Sequence, residues 1–196
     1  MSAPLLCLLF YLAGSIPFGV IFSRLGGKDI QSLGSGNTGA ANVYRNLGFI
    51  YGLATFLTDF SKSYFPLSLY NLYHPHDRLI YCLALCCFLG HCFSVFLAFR
   101  GGKGVSVSMG ILAFFSWYYA LIFVVAYVFF LIILKISSLA SLGSFLISTA
   151  CIYFLPVKSD DKTLNIFIFS VILFILLLFM HGKNIRRLIN RNELQI

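Results

Sequence analysis

Two glycine-rich, polar stretches interrupt an otherwise apolar sequence, and their residue types are those that bind phosphate. The first runs from Gly34 to Arg45 and the second from Arg100 to Gly104. Glycine-rich backbone can turn several N–H groups toward one anion, while serine, asparagine, lysine and arginine replace the water around it. Irregular backbone at membrane depth is tolerated only where protein buries it or water reaches it. The sequence therefore predicts a phosphate site at a membrane surface.

The first stretch has the composition of an anion-binding loop. Its glycines can adopt positive φ without steric cost, so the loop can turn its amides toward one point. Ser35 and Asn37 add neutral hydrogen-bonding groups, and Arg45 adds a fixed charge that can bind phosphate through two bonds. The alternative is an interhelical loop whose small residues only permit close packing. The glycines concerned are Gly34, Gly36 and Gly39.

The second stretch is not a nucleotide P-loop, although it contains a Gly-Lys pair. A P-loop needs glycine five residues before that pair and serine or threonine after the lysine, and Leu97 and Gly104 occupy those places. What remains is Lys103, a point charge for phosphate that is flanked by flexible backbone. The alternative is a membrane anchor whose glycines end a helix.

Several polar side chains lie within or at the ends of apolar runs, where such groups are costly. His91 is near the end of one run and His181 ends another, and each is either a functional group or a packed, hydrogen-bonded histidine. On a helix, His181 and Asn184 would share one face. Asp59 and Lys62 are spaced i, i+3, which predicts a structural ion pair that faces the helix bundle.

The composition is that of a membrane protein. The chain has 196 residues, of which 60% are hydrophobic and 10% are charged, against about 25% charged in ordinary domains. We predict one integral membrane domain over residues 1–196, with no nucleic-acid partner. Six cysteines lie in or beside apolar runs without the C-x-x-C spacing of a zinc or redox site, so we expect reduced thiols packed between helices and no bound metal.

Six apolar runs are readable, and the fourth is long for one transmembrane helix. If it is one helix, the loops alternate so that basic residues divide almost evenly between the two faces, which gives no orientation signal. The runs are Leu5–Phe22, Phe49–Tyr73, Leu79–Phe99, Val105–Leu134, Leu139–Leu155 and Leu164–Met180.

A turn near Ser116 within the fourth run changes the distribution of charge. Ten basic residues then collect on one face and three on the other, as the positive-inside rule requires. We therefore predict an all-α integral membrane protein with seven transmembrane helices, two of them short or glycine-interrupted (about 14–16 residues), the N-terminus outside and the C-terminus cytoplasmic. The larger set is Arg24, Lys28, Arg45, Arg100, Lys103, Lys135, Lys183, Arg186, Arg187 and Arg191, and the smaller is Arg78, Lys158 and Lys162.

Together these residues resemble a known family, the bacterial acyl-phosphate:glycerol-3-phosphate acyltransferases. The matching motifs occur in the family's order and at similar spacing over nearly the whole chain, which is more specific than any single glycine-rich loop. They are Gly14–Gly19 (GSIPFG), Gly34–Gly48 (GSGNTGAANVYRNLG), Gly90-His91, Phe99–Val105 (FRGGKGV), Ser138–Ser141 (SLAS), and His181 with Asn184-Ile185 and Arg187-Leu188.

The resemblance implies a seven-helix enzyme of the bacterial inner membrane whose active site faces the cytoplasm. It implies that a fatty acyl group moves from acyl-phosphate to the 1-hydroxyl of glycerol 3-phosphate, giving lysophosphatidic acid and phosphate in the first acylation of phospholipid synthesis. It also implies no cofactor, no metal and no thiol intermediate. The implied partners are the two substrates, membrane lipid and an enzyme that produces acyl-phosphate.

Carried over residue by residue, the resemblance assigns the site. Acyl-phosphate is already activated, so the enzyme mainly positions two anionic reactants and stabilises the oxyanion that develops at the acyl carbon. Either a histidine or a substrate phosphate can remove the hydroxyl proton. The catalytic set is Ser35, Arg45, Lys103 and His181, and the substrate-binding set is Gly36, Asn37, His91, Gly101, Gly102, Gly104, Ser141 and Asn184.

Some positions depart from the residues that are usual in the family, while the polar set is intact. These departures leave the local helix-end and acyl-tail geometry open. They are Ser63 and Arg191 in place of glycine, Ser94 in place of proline, Ser106-Val107 in place of Ala-Thr, and Gly182 in place of arginine.

Two other functions are compatible with a small membrane protein of this kind. An acyl-CoA-dependent transferase would carry a His-x-x-x-x-Asp motif, and Phe96 and Arg186 occupy the aspartate position after His91 and His181. A transporter or binding protein for a phosphorylated metabolite would need a polar path across the membrane. Only Asp59 and Lys62 lie clearly at mid-membrane, which favours the enzyme.

Overall fold

The computed structural model describes residues 1–156 and 161–194, and this part of the chain contains ten α-helices, one short 3₁₀ turn and no strand. The predicted all-α class is therefore confirmed. The chain divides into two compact units, Met1–Phe114 and Phe115–Ile196. The expectation of one domain over residues 1–196 stays a prediction.

The first unit contains six helices and the 3₁₀ turn. Its long helices are apolar runs bounded by glycine, proline or polar turn residues, as their hydrophobic patterning predicts. The elements are α1 Ala3–Ser15, α2 Phe18–Leu25, α3 Ala40–Leu47, α4 Phe49–Tyr73, α5 Leu79–Cys92, the 3₁₀ turn Val95–Leu97, and α6 Val105–Phe115, whose last residue lies at the unit boundary.

The first apolar run is two helices rather than the one continuous run that the hydropathy predicts. Helix α1 ends at Ser15 and α2 begins at Phe18. Proline has no N–H to donate and its ring clashes with the preceding turn, so Pro17 interrupts the helix. The break leaves the last carbonyls of α1 without partners within the helix. Other residues of the same unit bond to two of these carbonyl groups, as described below.

Helices α1 and α5 pass each other at very short range. A side-chain carbon added to Gly14 would lie within 3.0 Å of the Cys87 backbone, and one added to Gly90 would lie as close to the backbone of Tyr11. Small residues at membrane helix crossings permit this approach and increase van der Waals contact between the helices. The crossing fixes the end of α5, where His91 lies, against the end of α1.

The described part of the second unit contains four helices, and α8 packs against both α7 and α9. The ring of Phe145 on α8 contacts Phe123 on α7 and Phe174 on α9, each at a centroid separation of 6.2 Å. The buried hydroxyl of Ser148 donates to the backbone carbonyl of Tyr119 on α7 over 2.8 Å. The helices are α7 Trp117–Leu134, α8 Ser137–Phe154, α9 Asp161–Met180 and α10 Gly182–Ile189.

The fourth apolar run is divided at Ser116, as the distribution of basic residues predicts. Ser116 has extended backbone and separates α6 from α7. The predicted length of two short helices of about 14–16 residues is wrong, because the break is not at the middle of the run. Helix α6 has 11 residues and α7 has 18.

Among the residues that the structure describes, five segments are long and apolar enough to cross a membrane. Helix α6 is shorter than these, and α4 carries Asp59, Lys62 and Pro66 within its 25 residues. The count of seven spans and the orientation of the termini stay predictions. Lys158 lies outside the described residues, and the side chain of Lys162 is not described. The five segments are Ala3–Leu25, Leu79–Leu97, Trp117–Leu134, Ser137–Phe154 and Thr163–Met180.

Candidate active site

The first glycine-rich stretch is a tight loop followed by a helix. Gly34 and Gly36 have φ of 56° and 69°, the left-handed conformation that glycine adopts without penalty. The expectation of a positive φ is wrong for Gly39, whose φ is −81° because it is the N-cap of α3. Arg45 therefore lies on the last turn of a helix rather than in the loop.

Asn42 on α3 holds this loop together, and the sequence analysis missed its role. Its side chain is buried, and its Oδ1 accepts a 3.1 Å hydrogen bond from the backbone N–H of Ser35. Its Nδ2 donates hydrogen bonds to loop carbonyls, three of which lie within reach at 3.4, 3.0 and 2.9 Å. The carbonyls belong to Ile30, Leu33 and Asn37.

The predicted polar residues of the first stretch occupy successive positions around the loop. The Ser35 hydroxyl accepts from the backbone N–H of Asn37 over 3.4 Å, and the Asn37 Oδ1 accepts from the N–H of Gly39 over 2.9 Å. Ser35 and Asn37 are half-buried and Gly36 is exposed. The Nε and Nη1 atoms of Arg45 are buried, so its guanidinium is held inside the unit.

The second glycine-rich stretch runs back along the end of α5. The backbone N–H groups of Gly101 and Gly102 donate to the carbonyls of Cys92 and His91, each over 3.0 Å. Gly102 lies so close to the imidazole of His91 that an added side-chain carbon would be within 3.0 Å of Nε2. Lys103 follows directly and is half-buried.

One cleft of the first unit is bordered by both glycine-rich stretches. Thr38 of the first stretch and Gly101 of the second both line it. Its other polar lining residues come from the ends of α1 and α5 and from the middle of α4. They are Ser15, Asp59, Lys62, His91 and Ser94.

Asp59, Lys62 and His91 form a buried charged cluster in this cleft. The Lys62 ammonium lies 2.7 Å from the Asp59 Oδ1, which confirms the predicted ion pair. The His91 Nδ1 lies 3.6 Å from the same oxygen, a contact that sequence spacing could not show. The three side chains are buried. His91 was predicted to bind substrate, and the structure places it between Asp59 and the second glycine-rich stretch.

Two side chains of the cleft donate hydrogen bonds to the backbone carbonyls at the break after α1. The Lys62 ammonium donates to the carbonyl of Ile16 over 2.9 Å, and the Ser94 hydroxyl donates to the carbonyl of Ser15 over 2.6 Å. A cation is favourable at a helix C-terminus because the exposed carbonyls carry partial negative charge. Ser94 stands where the resembling family usually has proline, so its hydroxyl gives this position a bond that proline could not make.

A second departure also has a structural reason. The Ser63 hydroxyl on α4 donates to the carbonyl of Val107 on α6, or to that of Phe60 in its own helix, at 2.9 Å in both cases. Its oxygen packs directly against Gly110. Ser63 therefore occupies the space that a glycine would leave, and it contacts α6 just beyond the second glycine-rich stretch. Ser106 is buried on α6, and nothing in the structure explains its presence.

In the second unit, His181 and Ser141 are neighbours. The His181 Nδ1 lies 2.8 Å from the backbone carbonyl of Leu177, and a carbonyl can only accept, so Nδ1 carries the proton. The Nε2 then faces the Ser141 hydroxyl at 3.5 Å with its lone pair. The Ser141 hydroxyl has a single proton, which it donates either to this nitrogen or to the carbonyl of Ser138 at 3.0 Å. The structure thus brings two predicted site residues together.

Asn184 belongs to the same group and is joined to it by a residue that the sequence analysis missed. The Glu193 carboxylate accepts from the Asn184 Nδ2, from the Ser138 hydroxyl over 2.8 Å and from the Arg187 Nε over 2.7 Å. These bonds fix the amide of Asn184, whose Oδ1 is buried and has no partner among the described residues. A buried acceptor of this kind is suited to a hydroxyl donor.

The Glu193 carboxylate is charged in this setting. Burial opposes its ionisation, but the hydrogen bonds from Arg187, Asn184 and Ser138, together with the charge of Arg187, outweigh that effect. The pKa of Glu193 consequently lies below its ordinary value of 4.5. The sequence offered one signal for this role, an acidic residue close to a basic helix.

The remaining two departures lie beside α10. Arg191 has a φ of 57°, the left-handed region that strains a long side chain, and it stands where the resembling family usually has glycine. Gly182 opens α10 with nothing within 4 Å of the place where a side chain would begin. A larger residue would therefore fit at Gly182.

Among the described residues, one group is spaced to hold a metal ion. The thiols of Cys7, Cys82 and Cys86 lie within 4.8 Å of one another, on α1 and α5. They do not line the polar cleft. The sequence spacing gave no sign of this group, because α1 and α5 are distant in the chain.

The chain is similar to known proteins over almost its whole length. The family model described as glycerol-3-phosphate acyltransferase matches residues 4–191. A relative with that description from Pelagibacter ubique is 37% identical over 195 residues, covering 98% of this chain and 97% of the relative. Another from Geotalea daltonii is 39% identical over 183 residues, covering 93% of this chain and 92% of the relative.

Two solved structures have a similar fold. Both are crystal structures of PlsY (YgiH), described as an integral membrane glycerol 3-phosphate acyltransferase, one in a glycerol 3-phosphate form and one in a lysophosphatidic acid form. Their TM-scores are 0.90 and 0.89 at 30% identity, with 100% of this chain and 96% of the solved chain covered.

Proposed function

Because the chain belongs to the glycerol-3-phosphate acyltransferase family, we propose that it transfers a fatty acyl group to the 1-hydroxyl of glycerol 3-phosphate and releases lysophosphatidic acid. The observation that carries this proposal is the match over residues 4–191, within which every predicted polar site residue is present. The solved relatives with glycerol 3-phosphate and lysophosphatidic acid are described as forms of such an enzyme.

We propose acyl-phosphate as the acyl donor. It is a mixed anhydride whose phosphate leaves readily, so the protein needs neither a nucleophilic thiol nor a metal to activate it. The carbonyl oxygen becomes negative as the hydroxyl attacks, and phosphate departs with the bonding electrons. The protein's main work is to bring two anions together and to stabilise that charge.

Within the first unit, we propose a set of residues that binds phosphate. The loop closed by Asn42 presents Ser35, Gly36 and Asn37, and Arg45 and Lys103 supply two fixed positive charges. The Ser35 hydroxyl, the Asn37 side-chain amide and the Arg45 fork are donors that phosphate accepts well, whereas the backbone N–H groups of Ser35 and Asn37 bond within the loop. Gly101, Gly102 and Gly104 allow the backbone beside Lys103 to pack closely against α5.

Within the second unit, we propose that His181, Ser141 and Asn184 bind and orient a hydroxyl group. A hydroxyl can donate to the buried Asn184 Oδ1, which fixes its direction. Two groups can accept its proton during attack: the Nε2 of His181, which carries a lone pair, and an oxygen of the departing phosphate. Substitution of His181 by asparagine distinguishes them, because only the first route loses its base.

The chain is an all-helical integral membrane protein. We propose seven spans with the N-terminus outside, a cytoplasmic active site in the bacterial inner membrane, and a single functional domain. The ten-to-three distribution of basic residues supports this orientation. The acyl tail would lie along the helices in contact with lipid, and an enzyme that produces acyl-phosphate would supply the donor.

A donor test in sealed vesicles checks the function. Vesicles of both orientations containing the protein receive radiolabelled glycerol 3-phosphate with either acyl-phosphate or acyl-CoA. We expect labelled lysophosphatidic acid only with acyl-phosphate and only when the cytoplasmic face is accessible. Label accumulating unchanged inside the vesicles would indicate a transporter, and product formed from acyl-CoA would contradict the proposed donor.

A further inference from the structure

The buried cluster of Asp59 and His91 lies directly beneath the second glycine-rich stretch. We propose that Asp59 and His91 are positioning residues that set the location of Lys103 through the backbone of Gly101 and Gly102. This proposal rests on the proposed function and deepens it, because it assigns two buried residues to the placement of a phosphate-binding cation. It reinterprets His91, which sequence motifs place among the substrate-binding residues.

The first step is the contact between Asp59 and His91. The Nδ1 of His91 lies 3.6 Å from the Asp59 Oδ1. The side chains are 6% and 2% exposed, so both are shielded from water. At this separation the two groups interact electrostatically rather than through a short hydrogen bond, and a carboxylate that faces one ring nitrogen favours the tautomer with its proton there.

The second step joins His91 to the glycine-rich stretch at two points. The carbonyl of His91 accepts the N–H of Gly102 over 3.0 Å, and the neighbouring carbonyl of Cys92 accepts the N–H of Gly101 over the same distance. The imidazole itself fills the space beside the Gly102 Cα, where even a methyl group would collide with Nε2. The backbone and the ring of His91 thus set the path of the second glycine-rich stretch.

The contact between His91 and Gly102 reaches Lys103 through a single peptide bond. Lys103 is the next residue after Gly102 in the chain. Any displacement of Gly102 by the His91 ring therefore also displaces the backbone from which the lysine side chain extends. In positioning catalysis, a misplacement of about 1 Å can cost about 10²-fold in rate.

Lys62 neutralises the charge of Asp59 within the membrane, but it does not account for the contact between Asp59 and His91. Its ammonium neutralises Asp59 at 2.7 Å and bonds to the carbonyl of Ile16, which anchors the break after α1. An unpaired carboxylate at membrane depth would be strongly unfavourable, so the positive charge of Lys62 stabilises Asp59 there. The other contact that Asp59 makes within the cluster is the one with His91.

The test uses charge-balanced variants of the purified full-length protein. Asp59→Asn alone would leave Lys62 without its carboxylate, so we pair it with the double variant Asp59→Asn/Lys62→Met, which removes both charges together. Asp77→Asn is the matched control, because Asp77 is an exposed loop aspartate outside the cleft. His91→Phe keeps a ring of similar volume under Gly102 but loses the contact with Asp59.

We expect Asp59→Asn/Lys62→Met and His91→Phe to unfold within a few degrees of the wild type and to lose about 10- to 100-fold in kcat/KM for glycerol 3-phosphate. Asp77→Asn keeps the wild-type value. Gly102→Ala, which pushes directly on His91 Nε2, gives a loss of similar size, whereas Gly182→Ala, with open space around it, gives none.

The decisive comparison is made in a Lys103→Ala background at raised enzyme concentration. If Asp59 and His91 act through Lys103, adding His91→Phe there costs less than about twofold. A loss as large as in the wild-type background overturns the proposal, as does wild-type kcat/KM in the charge-balanced variant. If instead the wild-type protein makes no lysophosphatidic acid, the proposed function fails, and this failure is seen before any variant is tested.

Discussion

The side chain of Asn42 and the backbone N–H of Ser35 are joined by a 3.1 Å hydrogen bond that spans seven residues and closes the first glycine-rich loop. The same side chain donates to carbonyls on the opposite side of the loop. This one amide therefore joins the two sides of the loop, and it uses both its acceptor and its donors. Asn42 itself stays fixed because Val43 beside it packs against Val20 and Ile30 in a buried cluster.

Asn42→Ala should lower the free energy of unfolding by about 1–3 kcal/mol, because buried loop groups lose their partner. It should also reduce activity more than tenfold, since Ser35 and Asn37 are no longer held. Thermal unfolding in detergent and an activity assay measure the two effects. Asn192→Ala, an exposed asparagine, is the control. Wild-type activity in Asn42→Ala would contradict the organising role.

Arg45→Ala and Lys103→Ala should each reduce activity by at least about 10²-fold, the usual cost of removing one group that stabilises developing charge. Both variants should still insert and unfold at nearly the wild-type temperature, because their role is to bind substrate. Arg186→Ala, an exposed arginine on α10, is the control for loss of charge. Full activity in either variant would remove that residue from the site.

Gly90→Ala should destabilise the fold by about 1–3 kcal/mol through overpacking, because its methyl group would meet the α1 backbone at Tyr11. Gly14→Ala tests the same crossing from the other helix, so the two effects should not add. Thermal unfolding measures both. The control is Gly182→Ala, which has open space. Additive losses would show that the two glycines act independently.

Glu193→Gln should lower stability near neutral pH by about 1.5–3 kcal/mol, because hydrogen bonds to a charged carboxylate are lost. The pKa of Glu193 is below 4.5 in the folded protein, so its contribution is complete above that value and disappears as the pH falls through the lowered pKa. Unfolding of wild type and variant from pH 8 to pH 3 should therefore converge only at the acidic end. A constant difference over that range would contradict the charged state.

Much of the helical architecture could be predicted from the sequence because the signals are local. The bounds of α4, Phe49–Tyr73, agree with its apolar run, since Gly48 and the His74–His76 segment end the pattern on both sides. The division at Ser116 followed from the distribution of basic residues. The break at Pro17 was also local, but strong hydropathy on both sides concealed it.

The site could be predicted only as a set of residue types. Ser35, Arg45 and Lys103 carry recognisable chemistry, whereas Asn42 is one of several asparagines until the loop folds around it. The contact between Asp59 and His91 joins α4 to α5, and no sequence spacing encodes it. Glu193 was missed because its partners lie on two different helices.

The most direct test of the central claim is the stoichiometry of products from purified protein. Wild-type protein in detergent receives acyl-phosphate and glycerol 3-phosphate in buffer that contains a chelator and no CoA, and lysophosphatidic acid and inorganic phosphate are both measured. We expect the two products in equal amounts, and no lysophosphatidic acid when glycerol 3-phosphate is omitted. Phosphate release without lysophosphatidic acid, or no turnover until CoA or a divalent metal is added, would contradict the proposed reaction.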